Sequence, residues 1–233
     1  MTIYHPKTAL EAVALRREHP DTTVYLAGGT DDLRLGTAAA GKDLIDLNGL
    51  RMGGIREEDG KLVIGALCTM NELIASPLVP DFLKDAARFC ASFVKRNSAT
   101  VGGNLGLRRD DSYLAAALTA ADAVLTLQTP EQIKQQPVGA YLKSDCKALI
   151  TEVTLDLHRT GWVKRFGNTA ASHATLIAAY SEGIYALSVH GSGLAYGNSP
   201  AIAKELTYVD DLTGGADYKR YLAETVFDGK EAK

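Results

Sequence analysis

Apolar positions along the first fifty residues change their period twice. Pro6 opens a helical stretch over residues 8–19, where Leu10, Val13 and Leu15 recur near helical spacing, and Pro20 stops it. Residues 24–27 read as a short buried strand that runs straight into Gly28 and Gly29. A second helical pattern begins at Asp31, and residues 43–47 read as another strand. Strand, helix and strand joined by short connections predict a small parallel sheet.

Gly53 and Gly54 interrupt this pattern. Beyond them, Ile55 and residues 61–65 flank a polar turn at 57–60, which predicts a hairpin. Thr69 followed by Glu72 has the spacing of a capping box and predicts a helix start. A longer helix is expected over 80–93, then a polar glycine-rich loop over 97–104, and an alanine-rich helix over 112–121. Residues 123–127 and 148–155 read as strands. After about Leu157 the texture changes to strand patterns at 174–180 and 185–190, closing with a helix over 216–227. The expected organisation is therefore residues 1–157, divided near 52/53, followed by a separate unit over 158–233.

Composition narrows the function classes. The 233 residues are 46% hydrophobic and 23% charged, ordinary values for a globular chain with a sizeable core. The net charge is −3 and no basic stripe stands out, which argues against nucleic acid as a partner. Cys68, Cys90 and Cys146 are too far apart for a CxxC pair and too few for a cluster site. No signal peptide or membrane-length apolar run is visible, so the chain reads as cytoplasmic with no membrane partner.

Two loops carry candidate chemistry. The first is Leu26, Ala27, Gly28, Gly29, Thr30 and Asp31, a strand end passing through two glycines into a helix start. Glycines permit positive φ and leave backbone N–H groups uncovered, so a phosphate can approach closely. Thr30 could cap the helix and also donate its hydroxyl. The second is Thr100, Val101, Gly102, Gly103 and Asn104, again two adjacent glycines with a hydroxyl before and an amide after. Either loop alone is an ordinary tight turn. Together they suit a diphosphate, which needs donors from both sides.

Other motifs fail. The stretch from Gly36 to Asp43 nearly spells a P-loop, but Asp43 replaces the Ser/Thr that would hold Mg²⁺, and the helix–strand order is reversed. It reads instead as a helix terminus capped by Gly41. No GxGxxG follows a strand, and Gly191-Ser192-Gly193 lacks the spacing of a nucleophile elbow. His5, His19, His158, His173 and His190 lie apart, with no ligand pair in sequence, so neither a metal site nor a catalytic residue is assigned.

The two glycine loops, with IGALCT at 64–69, Glu72-Leu73, the stretch from Arg96 to Leu105, Asp122-Ala123, LITEV at 149–153 and DYKRYL at 217–222, resemble the FAD-binding medium subunit of the xanthine dehydrogenase and carbon monoxide dehydrogenase family of molybdenum hydroxylases. The resemblance covers nearly the whole chain, and the paired glycine loops are its specific part. It implies an α+β chain with the vanillyl-alcohol-oxidase-type (PCMH) FAD-binding fold, two α/β subdomains followed by a small C-terminal antiparallel sheet-and-helix domain. It implies FAD held by residues 26–31 and 100–104, with an apolar residue matched to Ile150 and a basic residue matched to Lys164. It further implies partners, a molybdenum-cofactor large subunit acting on a purine-like heterocycle and a [2Fe-2S] small subunit, with electrons passing through FAD to NAD or another acceptor.

One departure stands out. Where the resemblance leads to an aspartate supporting FAD, this chain has Tyr113, preceded by Arg108, Arg109, Asp110 and Asp111. That run reads either as a phosphate-facing element or as a solvated loop or interface. Two other readings stay open, a scaffold that keeps the fold without flavin, and a free-standing flavin reductase of the same fold.

Overall fold

In the computed structural model the described residues are 1–31, 33, 37, 39–90 and 92–228. Among these residues three sheets form the framework, taken in chain order. Strands β1 (Ile3–Tyr4), β2 (Thr23–Leu26) and β3 (Asp43–Asp46) make a parallel sheet in the order β1-β3-β2, with helix α1 (Ala9–Glu18) crossing between the first two. Thr8 caps α1 through a hydrogen bond from the Glu11 N–H at 3.1 Å. Of the apolar positions expected to face inward, Leu10 is about half exposed, while Val13 is buried beside Ala12 and Leu15 packs against the same core. These residues close a small core with Ile45, Leu47, Leu50, Met52 and Leu149. The helix expected after Asp31 rests largely on residues 32, 34–36 and 38, outside the described residues, as does the start of the P-loop-like stretch.

The second sheet is antiparallel, in the order β4-β5-β8-β6-β7: β4 (Ile55–Glu58), β5 (Lys61–Gly65), β6 (Val124–Gln128), β7 (Ile133–Pro137) and β8 (Leu149–Asp156). The expected hairpin is β4–β5. Its turn residues Asp59 and Gly60 both have positive φ, 51° and 73°, as a tight two-residue turn matching strand twist requires. Helices α2 (Met70–Ala75), α3 (Asp81–Arg88), α5 (Val101–Gly106), α6 (Ala115–Ala120) and α7 (Val138–Leu142) join this sheet in one apolar core, while the short α4 (Phe93–Arg96) buries none of its residues. The capping box at α2 is complete: Glu72 N–H reaches Thr69 Oγ1 at 3.2 Å and Thr69 N–H reaches Glu72 Oε2 at 2.7 Å.

The third sheet holds β9 (Trp162–Phe166), β10 (Leu176–Ser181), β11 (Ile184–Val189) and β12 (Gly193–Gly197), antiparallel in the order β12-β11-β10-β9. Its strands are apolar on both faces. Ile177, Ala179 and Ala186 join the central core, while Leu176, Ala178, Leu187 and Val189 face the second core with Ala223, Val226 and Phe227 from α8 (Ala216–Thr225) and its C-terminal end. Alternation of period two delivers both sets from the same strands.

A fully buried cation anchors α8. Lys219 Nζ donates to Asp211 Oδ2 at 2.6 Å, to the His190 carbonyl at 2.8 Å and to the Val209 carbonyl at 3.0 Å. All three ammonium hydrogens are thereby used. Replacing Lys219 with Met should lower the unfolding free energy by about 2 kcal/mol, read from urea denaturation. The loss is below that of a wholly buried pair because Asp211 is 22% exposed and keeps His190 and Thr213 as partners.

Candidate functional site

The strongest constraint at the junction of the first two sheets is a backbone contact. A Cβ on Gly28 would lie 1.7 Å from the Ser98 carbonyl oxygen, so only glycine fits where the end of β2 meets the segment leading into α5. Gly29 follows with φ of +64°, a left-handed turn that carries the chain over the cleft. Among the described residues, the N–H groups of Gly28, Gly29 and Thr30 meet no protein acceptor. Three adjacent free donors in such a turn form a cradle for an anion.

The second loop differs from the open turn expected. Residues 101–106 form the short helix α5, with Thr100 as its N-cap accepting from the Gly103 N–H at 3.2 Å. Val101 N–H donates to the Cys68 carbonyl, Gly102 N–H to the Ala66 carbonyl at 2.7 Å and Asn104 N–H to the Thr100 carbonyl. These donors are committed within the protein. The need for glycine at position 102 is packing, since a Cβ there would lie 2.7 Å from the Ala66 Cβ. What this loop turns outward is Asn104. Its Oδ1 accepts from the Leu114 N–H at 3.1 Å and from Ser112 Oγ at 2.8 Å, which fixes the amide orientation and leaves Nδ2 as a free donor.

Both loops border one cleft of about 900 Å³, at the upper end of the range for ligand pockets. Ala27, Gly28, Gly29, Thr30, Asp31, Thr100, Gly102, Gly103, Asn104 and Ile150 all line it. Ile150 contributes apolar wall from β8, where the register with β6 shifts between Thr126 and Leu127. Leu26 and Val101 hold the two loops from behind, Leu26 by accepting from the Leu47 N–H and Val101 by complete burial. Lys164 lies elsewhere, exposed on β9 opposite Ala178 with its ammonium 5.9 Å from the Trp162 ring, and it does not line the cleft.

The cleft inverts the charge of the chain. Arg16, Arg17, Lys95, Arg108, Arg109, Lys134 and Lys147 line it against Asp21, Asp31 and Asp111, although the chain as a whole is at −3. These cations come from separate segments, so no basic stripe marks them in the sequence. Tyr25 adds a buried hydroxyl on the cleft wall that meets no protein partner, and burial pushes its pKa up to about 12 against the opposing influence of Arg16.

The run before Tyr113 is neither solvated nor idle. Arg108 adopts φ of 48°, donates to the Ser144 and Cys146 carbonyls and lies 4.2 Å over the Tyr141 ring. Arg109 reaches Asp31 on the first glycine loop at 3.2 Å and Asp111 at 2.8 Å. Asp111 also meets His173. Burial alone would raise the Asp111 carboxyl, but the hydrogen bonds from Arg109 and His173 outweigh it and hold it at about 2. Tyr113 is half-buried beside them in the cleft wall, its hydroxyl pKa raised by burial. The wall therefore carries a carboxylate, two residues before Tyr113.

Comparison with known proteins bears on this cleft directly. The chain is 28% identical to the uncharacterized protein YgfM of Escherichia coli K12 over 237 residues, covering 94% of this chain and 90% of that protein. It is 33% identical to the carbon monoxide dehydrogenase medium chain of Hydrogenophaga pseudoflava over 156 residues, 64% of this chain and 54% of that one. The solved structure of the Hydrogenophaga pseudoflava carbon monoxide dehydrogenase lacking the Mo-pyranopterin moiety superposes with a TM-score of 0.81 at 25% identity, covering 97% of this chain and 93% of that chain. Residues 1–155, which include both glycine loops and most of the cleft wall, match the family described as the FAD binding domain in molybdopterin dehydrogenase, and the chain belongs to that family.

Proposed function

We propose that this chain is the FAD-binding electron-transfer subunit of a xanthine dehydrogenase-like molybdenum hydroxylase complex, with the diphosphate of FAD seated on the Gly28–Thr30 cradle. The observation that carries the reading is the set of three free N–H donors facing a cleft whose charged lining is mostly cationic. A diphosphate needs that combination, because close-range donors fix it and the surrounding cations offset its charge. Asn104 Nδ2 supplies a donor from the opposite side, and the Tyr25 hydroxyl gains the partner it lacks within the protein. Ile150 offers apolar surface for a ring. When bound, FAD supplies the redox chemistry linking a partner's electron donor to NAD or another acceptor. The residues of this chain bind and orient it.

The same reading assigns residues 1–157 to a PCMH-type flavin domain with subdomains meeting near 52/53, and 158–233 to a C-terminal domain. The sheet framework supports it, since each division falls between strands of different sheets. The partners proposed are a molybdenum-cofactor large subunit and a [2Fe-2S] small subunit. Co-purification with both supports this, and a chain that isolates alone with reductase activity would favour the free-standing alternative.

Three measurements test the cleft. The purified chain should be yellow with one FAD per chain, and a chain that stays colourless after addition of FAD is a scaffold. FAD affinity should fall several-fold between about 50 and 500 mM salt, because part of the attraction is screened charge. Tyr25→Phe should leave the FAD-free chain as stable or about 1 kcal/mol more stable, since it removes an unpaired buried hydroxyl. The same change should weaken FAD binding by roughly 10-fold. Unchanged affinity would remove Tyr25 from the site.

A further inference from the structure

Beside the cleft, the chain brings together three side chains that the flavin reading does not require. Asp111, His173 and His190 each offer a ligand atom, and these atoms lie within 4.8 Å of one another. From this geometry we infer a binding site for a divalent transition-metal ion of the zinc class, held by Asp111, His173 and His190 and oriented through Asp211.

The ligand types suit such an ion, since imidazole nitrogen and carboxylate oxygen are its ordinary donors. The two imidazole rings are 5.8 Å apart between centroids and inclined by 50°. Two histidines on one tetrahedral ion, with metal–nitrogen bonds of about 2 Å, place their centroids roughly 5 Å apart. Ligand atoms around such an ion sit roughly 3.3 Å from one another, so the site needs side-chain movements of about an ångström. His173, with its side chain 53% exposed, has room to make one.

The supporting shell is the second observation, and it brings in Asp211, Lys219, Thr213 and Ser188. His190 Nδ1 is paired with Asp211 Oδ2 at 2.8 Å. A carboxylate in that place selects the tautomer with the proton on Nδ1, which leaves the Nε2 lone pair for a metal. Asp211 is itself fixed by the buried Lys219 and by the N–H and hydroxyl of Thr213 at 2.7 and 2.6 Å. On the other side, Ser188 Oγ donates to the Asp110 carbonyl at 2.8 Å and ties the Asp111 segment to β11. Asp111 is buried, and Arg109 Nε donates to its Oδ1 at 2.8 Å. Its Oδ2 meets both His173 Nδ1 and Arg109 Nη2, the latter at 3.2 Å, so an entering ion displaces Nη2 from Oδ2 and from His173 Nδ1. The guanidinium of Arg109 opposes a cation, and the Asp31 carboxylate, 3.2 Å from it, offsets that charge. An entering ion takes the place of the proton shared by His173 Nδ1 and Asp111 Oδ2, and that proton leaves to solvent. Asp111 and His173 both line the cleft, so the remaining coordination position opens onto it.

The site is independent of the flavin reading, and zinc itself is the probe. Equilibrium dialysis of the full chain against micromolar Zn²⁺, with metal analysis and calorimetric titration, should give one Zn²⁺ per chain with or without FAD. His173→Gln and His190→Gln should each weaken binding by at least about 100-fold. Asp211→Asn should weaken it by about 10- to 100-fold while saturating Zn²⁺ still reaches one per chain, as a positioning residue requires. His158→Gln, on the exposed surface, should bind as the unaltered chain does. Absence of stoichiometric zinc, or binding that survives either ligand substitution, would overturn the site. An Asp211→Asn chain that binds as tightly would overturn the assignment of His190 Nε2 as the ligand atom. Because His173 is largely exposed, its variant tests the site without disturbing the core.

Discussion

The contact between Gly28 and the Ser98 carbonyl sets the geometry on which the cleft depends. It places the carboxyl end of the parallel sheet against the segment that becomes α5, with no side chain between them. A second backbone-range contact continues the line, from Gly102 to Ala66 at the end of β5. Main chain touching main chain at two successive points leaves little freedom in the spacing of the two loops. Side-chain contacts would flex by rotamer changes, whereas these move only if strands move. The width of the cleft therefore follows from strand positions, and the missing Cβ atoms are what make the approach possible.

Within that frame the two glycine pairs do different work. Gly28 and Gly29 expose donors, while Gly102 and Gly103 spend theirs inside the protein, one on the Ala66 carbonyl and one on the Thr100 hydroxyl. The symmetry of the two motifs in sequence suggests equal roles, and the fold removes it. One loop leaves its donors open and the other commits them to the fold, passing its outward contribution to the Asn104 amide. Long-range charge then acts on the same volume, because cations from five separate stretches of chain converge there.

Much of this was legible in the sequence where local chemistry decides the outcome. The capping box at Thr69, the hairpin over residues 55–65 and the strand ends at Gly28 all formed where their patterns placed them. Helix α5 was not legible, because adjacent glycines argue against a helix. A threonine cap and close packing on Ala66 override that propensity. The helix expected over 80–93 ends at Arg88, with α4 a separate turn capped by Ser92. Strands β9 and β12 escaped notice because they are the edges of their sheet, only partly buried and without strict alternation. Lys164, matched through the resemblance without a local motif to fix it, stands on β9 outside the cleft lining. The grouping of Asp111 with His173 and His190 depends on tertiary placement alone, which linear spacing does not carry.

The segment from Arg108 to Asp111 shows what such placement achieves. Arg108 holds a left-handed backbone conformation that costs a non-glycine residue about 1 kcal/mol. Two carbonyl acceptors and the Tyr141 ring offset that cost and bind it to the central sheet region. Arg109 turns to Asp31 on the first glycine loop, beside the parallel sheet. The Asp110 carbonyl accepts from Ser188 on β11, and Asp111 meets His173 just before β10. Four consecutive residues thus contact the segment from α7 to β8, the first glycine loop, β11 and the stretch before β10. The same short segment therefore bonds both to the C-terminal sheet and to the first glycine loop.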